Sequence, residues 1–148
     1  MSSISINQSR SIAPARLAGL GALGGLAGGV VFGMLMGMMG MLPMVGMLVR
    51  QESAGVGIVV HLFISAFIGA VYGLVAGRFS LSWSAVLVGG LINGVAWWVL
   101  GALILMPLLL GMNEMVFVIG NPQWLSLVGH ILYGLITALV FTALARRA

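Results

Sequence analysis

The chain has 148 residues, 61% of them hydrophobic and 5% charged, with six Lys or Arg against two acids. Its mean hydropathy of +1.23 could not be carried on the surface of a water-soluble domain, which leaves a membrane protein. The scattered Arg residues are too few for a nucleic-acid surface, and the absence of Cys excludes disulfides, thiolate metal sites and Cys nucleophiles.

Residues 1–16 are rich in Ser, carry Arg10 and Arg16, and read as a disordered polar tail. They are not the start of a secretory signal, because the apolar run behind them far exceeds the ~7–15 residues of a signal core. Residues 17–148 then read as one domain of four transmembrane helices, at roughly 17–49, 56–77, 82–111 and 124–145. Each is long enough to cross a hydrocarbon core that needs about 20 helical residues.

Span 1 is organised on Gly21, Gly25, Gly29, Gly33 and Gly37, a glycine zipper with one residue per turn. In lipid, a stripe without side chains lets two backbones approach and gain dispersion contacts, so these positions are predicted to pack helices. The span continues into Met34, Met36, Met38, Met39, Met41, Met44 and Met47, interrupted by Pro43. Proline removes an intrahelical hydrogen bond, so a bend or an end is predicted there.

Span 2 carries His61, Ser65, Gly69, Gly73 and Gly77 every fourth residue, and span 4 repeats the series with His130, Gly134, Ala138 and Thr142. Span 3 matches span 1 at an offset of 64, which sets Gly25 on Gly89, Gly29 on Asn93, Gly33 on Trp97 and Pro43 on Pro107. The prediction is an all-α fold of two tandem helical hairpins, about 17–78 and 82–147, forming a parallel pseudo-two-fold repeat. His61 and His130 would then lie level, about 7 Å inside one membrane boundary by the helical rise. The loop after Pro107, from Met112 to Trp124, is apolar enough to lie along the interface or over the end of the bundle.

Arg10, Arg16, Arg78, Arg146 and Arg147 fall on one side, and Arg50, Glu52 and Glu114 on the other. The positive-inside rule therefore assigns both termini to the cytoplasm, and Trp83 and Trp124 to opposite interfaces.

The strings GMLPMVGM at 40–47, HLFISAFIGAVYGL at 61–74, LMPLLLGM at 105–112 and GHILYGL at 129–135 resemble a family of small four-span bacterial inner-membrane proteins. The resemblance implies a multi-pass protein of the bacterial cytoplasmic membrane. It carries no activity and no site residues.

Glu52 and Glu114 are the sole acids, and both fall in loops, so paired-carboxylate chemistry and an Asp-oriented triad lack buried parts. The chain is read as no enzyme. Its strongest chemical signal is the histidine pair, since ionisable groups at membrane depth are functional candidates. His61 and His130 could ligate haem b or a copper ion, with methionine thioethers as further soft ligands for Cu(I). The bland alternatives are histidines hydrogen-bonded across helix seams and methionines filling space beside glycine-rich helices.

Asn93 is the intramembrane polar residue, read first as an interhelical hydrogen bond. Tyr72 and Tyr133 are read as seam anchors. The leading functional expectation is a structural or assembly subunit of a larger membrane complex, or a self-associating scaffold, embedded in the lipid bilayer with Trp97 or Trp98 exposed for a partner. The haem or copper protein is the alternative, and a small transporter with a path past Asn93 and the histidines is the third.

Overall fold

The computed structural model describes residues 12–148. Six α-helices follow one another: α1 (Pro14–Met38), α2 (Leu42–Gly46), α3 (Ala54–Ala76), α4 (Trp83–Trp97), α5 (Met106–Leu109) and α6 (Asn121–Ala145). A π-helical stretch, Trp98–Leu105, joins α4 to α5, so these three segments make one rod from Trp83 to Leu109. With α1, α3 and α6 that gives four helices long and apolar enough to span a membrane. This is an all-α, multi-span membrane protein. Helices pair their interior main-chain groups within themselves, the requirement of a solvent without hydrogen bonds.

Several predicted boundaries move. α1 begins at Pro14, with proline in the first turn where its missing N–H costs nothing, so the last residues of the stretch read as tail are helical. The rest of that tail, residues 1–11 with Arg10, lies outside the described residues. Span 1 is not broken by Pro43. It ends at Gly40, whose φ of +68° reverses the chain while the Met41 amide donates to the Met36 carbonyl and the Gly40 amide to Gly37. That is a Schellman cap, and Pro43 instead sits in the first turn of α2. Pro107 likewise starts α5 rather than ending the helix, and the matching stop comes at Gly111, with φ +72°.

The helices pack in the lateral order α3, α1, α6, α4. α1 is the hub and carries two glycine faces. Gly21, Gly25 and Gly29 meet Gly69, Gly73 and Ser65 of α3, while Gly24 and Gly28 meet Thr137, Phe141 and Tyr133 of α6. A Cβ on Gly69 would stand 2.6 Å from the Gly25 Cα, and one on Gly24 would stand 2.7 Å from the Thr137 carbonyl oxygen. Side-chain-free positions are therefore a geometric requirement of both seams. Gly33 meets the side chains of Ile58 and His61, Gly77 meets Leu17, and Gly37 approaches only Leu42 of α2, so the last zipper position joins no second span.

α4 packs on α6 through Val86, Gly90, Gly94 and Trp98, all buried. Gly90 lies against Gly134 and Ala138, and Gly94 against His130 and Ile131. The residues that meet α6 are thus Gly90 and Gly94, one position on from the Gly89 and Asn93 that the offset of 64 aligned with Gly25 and Gly29. The large apolar side chains point the other way. Phe63 is 76% exposed and Met38 84% exposed, the inverse of a water-soluble protein and the pattern a lipid solvent favours.

Candidate functional site

The two histidine rings meet one and the same phenyl ring. Phe32 of α1 meets the His61 ring edge-on at 5.3 Å between centroids and the His130 ring at 4.7 Å. The same ring covers Gly129, where a Cβ would overlap it. Each imidazole already has a partner. His61 Nε2 lies 2.9 Å from the Gly29 carbonyl oxygen and donates to it across the seam between α1 and α3. His130 Nδ1 donates to the Ser126 carbonyl, at 2.8 Å, one turn back on its own helix.

These contacts weigh against the haem or copper reading. A shared ion would need two free nitrogens converging on an open point, and the point is filled by Phe32. Among the described residues, no group of three or more His, Cys, Asp or Glu is placed to hold a metal. The methionines divide between the core and the outer surface, and Met39, Met41 and Met106 pack against the same core cluster as Met36. Met36 is buried against the core that Phe32 and Tyr133 anchor, whereas Met34, Met38, Met44 and Met47 face outward.

Tyr133 and Thr137 complete the polar interior. The Tyr133 hydroxyl donates to the Ser65 carbonyl at 2.7 Å, tying α6 to α3 past the hub helix, and Thr137 Oγ1 donates to the Tyr133 carbonyl at 2.7 Å. Trp97 or Trp98 was predicted to stand exposed for a partner, and neither does. Trp98 is 8% exposed and donates from Nε1 to the Gln123 carbonyl at 2.9 Å, stacked 6.0 Å from Trp124. Trp97 is half-buried against the core. A π turn holds more residues than an α turn, so consecutive side chains stand less than 100° apart and both rings can lean the same way.

A second polar locus lies near the other end of the bundle. α3 and α4 diverge to leave a groove of about 480 Å³, walled by residues such as Val75, Ala76, Ile92 and Ala96 and holding Tyr72, Asn93 and Thr142. Asn93 Nδ2 and Thr142 Oγ1 are buried without a hydrogen-bond partner, so the interhelical bond predicted for the Asn93 amide is not made. An orphaned buried polar group costs about 1–3 kcal/mol, and these two are the fully enclosed side-chain atoms without a partner among the described residues. Below it, Arg146 donates to the Leu81 carbonyl and its guanidinium lies 4.9 Å over the Trp83 ring, while Arg78 donates to the Leu74 carbonyl at 3.1 Å.

The sequence pointed to the histidines and not to this groove. Asn93 was visible as a lone amide, but its convergence with Tyr72 and Thr142 depends on the one-residue register shift of α4. No family model, curated protein or solved structure matches the chain, so the fold and the two loci are read from this molecule alone.

Proposed function

We propose that this chain is a non-catalytic membrane protein that serves as a structural or assembly subunit of a larger complex, built from two tandem helical hairpins. Uneven burial carries the reading. The most apolar stretch of the rod from Trp83 to Leu109 is 17% buried within the chain, against 44% for α1. The rod packs chiefly on α6 and turns Leu87, Leu91 and Val95 outward. A helix so lightly held by its own chain is suited to being covered by another.

The hairpin repeat is supported by like-for-like seams. Gly25 faces Ser65 and Gly69 in the first hairpin, and Gly90 faces Gly134 and Ala138 in the second. The clustering of Arg78, Arg146 and Arg147 at one end favours a cytoplasmic location for that end and both termini. The resemblance to small bacterial inner-membrane proteins is consistent with that membrane.

A photo-crosslinking residue at Leu91, tested in native membranes, checks the subunit reading. A discrete heavier adduct with one membrane protein is expected, and co-migration with it in a native gel. Lipid adducts alone from Leu87, Leu91 and Val95, with the chain migrating as a monomer, would sink it.

A further inference from the structure

We propose that Arg146, held on Trp83, binds the phosphate of an anionic phospholipid such as phosphatidylglycerol, in the leaflet at the arginine-bearing end of the bundle. Charge is segregated along the molecule. Leu17 meets Gly73 and Gly77, and Ile12, Leu17, Ala76 and Leu81 pack against one cluster with Ala145, so Arg16, Arg78, Arg146 and Arg147 belong to one end. Both acids of the chain, Glu52 and Glu114, lie in the connections at the other end. No Asp or Glu is therefore at hand to pair with these guanidiniums, and in a bilayer the complementary charge at that level comes from anionic headgroups.

Arg146 is set apart from its neighbours by how it is held. Its guanidinium donates to the Leu81 carbonyl and lies 4.9 Å over the Trp83 ring, so its place is fixed by the start of α4 as well as by its own helix. Arg78, by contrast, donates back into its own helix, to the Leu74 carbonyl. The rotamer freedom that an arginine gives up when it grips a ligand is already surrendered at Arg146, which leaves less to lose on binding. A guanidinium carries more N–H donors than one carbonyl can use, and the remainder suit the two-pronged contact that a phosphate offers. Trp83 is 62% exposed, and a tryptophan at a helix end sits at headgroup level, so the stacked cation is kept at the depth of the lipid phosphates instead of reaching into water. Phe79, exposed in the same turn, adds apolar surface for the glycerol and upper acyl region, which a free phosphate ion would leave uncovered. Phosphatidylcholine presents the same phosphate but brings a choline cation of like sign to the four guanidiniums, so the anionic headgroup is preferred.

The test uses the full chain in detergent micelles carrying palmitoyl-oleoyl phosphatidylglycerol or the phosphatidylcholine of the same chains, with bound lipids counted by native mass spectrometry. The first phosphatidylglycerol is expected to bind about fivefold more tightly than phosphatidylcholine, the strength of one arginine beside an anionic lipid, and millimolar inorganic phosphate is expected to leave it in place. Arg146→Lys keeps the charge but loses the planar fork, and Trp83→Leu keeps every charge but removes the platform. Each, checked for monodispersity and helix content, is expected to lose most of the preference. Arg147→Gln removes a neighbouring charge without touching the platform and is expected to retain it. The wild-type protein decides the matter even if a variant misfolds, because equal binding of the two lipids, or displacement by inorganic phosphate, would overturn the proposal. So would a full preference in Arg146→Lys or Trp83→Leu, or a loss in Arg147→Gln as large as theirs, which would mean diffuse attraction to the whole end of the bundle.

Discussion

The close approach of α1 and α3 requires glycine at position 69. A Cβ there would fall 2.6 Å from the Gly25 Cα and 2.8 Å from its nitrogen, backbone atoms that yield only if α1 and α3 separate. Gly69→Ala should therefore destabilise the bundle by at least the ~1–3 kcal/mol typical of overpacking. Gly19→Ala, on the same helix as Gly25 but with nothing within 4 Å of the new methyl, should gain up to about 1 kcal/mol from helix propensity. Steric-trap or denaturant unfolding in micelles would compare the two, and equal effects would refute the close-approach account. The tyrosine link is a gentler probe. Tyr133→Phe removes the bond to the Ser65 carbonyl and should cost about 0.6 kcal/mol, the usual size of an interhelical hydrogen bond in lipid. A loss of several kcal/mol would mean that the hydroxyl does more than join two helices.

At the scale of elements, the interruption of the third span has an identifiable cause. Pro107 has no N–H for the Leu103 carbonyl one turn earlier, and the amide of Phe117, in the loop, donates to that carbonyl instead at 3.1 Å. Phe117 holds φ +59°, unusual for an aromatic residue, and the bond it makes is what the conformation permits. Pro107→Ala restores a competing donor. Amide hydrogen exchange across residues 112–120 should then quicken, with the rest of the bundle unchanged; an unaltered loop would show that Phe117 is held by other contacts. Part of this was legible in the sequence. The four-residue glycine period predicted which faces of α1 and α3 meet, because a stripe of missing side chains has one physical use in lipid. The register of α4 was not legible, because Gly89 and Gly90 are adjacent and the alignment with span 1 cannot choose between them. Packing chose Gly90, since that phase also buries Val86 and Trp98. The histidines show the opposite limit: spacing set each at the head of a small-residue face, but no pattern revealed that both rings would meet Phe32, or that His130 would bond the Ser126 carbonyl of its own helix.

For the molecule as a whole, one prediction concerns orientation, and the chain's own lack of Cys makes it simple to check. Ser80→Cys lies in the turn beside Arg78, and Glu52→Cys in the turn at the opposite end of α3. In intact cells a membrane-impermeant maleimide should label Glu52→Cys and spare Ser80→Cys, and permeabilisation should expose both. The reverse pattern would invert the topology inferred from the arginines. The lateral order α3, α1, α6, α4 has a consequence for biosynthesis. Of these four spans the hub leaves the ribosome before the others, yet the one that covers its Gly24 and Gly28 face follows after the other two. Until α6 inserts, a nascent chain presents an adhesive ridge to any neighbour in the bilayer, and products truncated before residue 121 should clump with one another or with full-length copies.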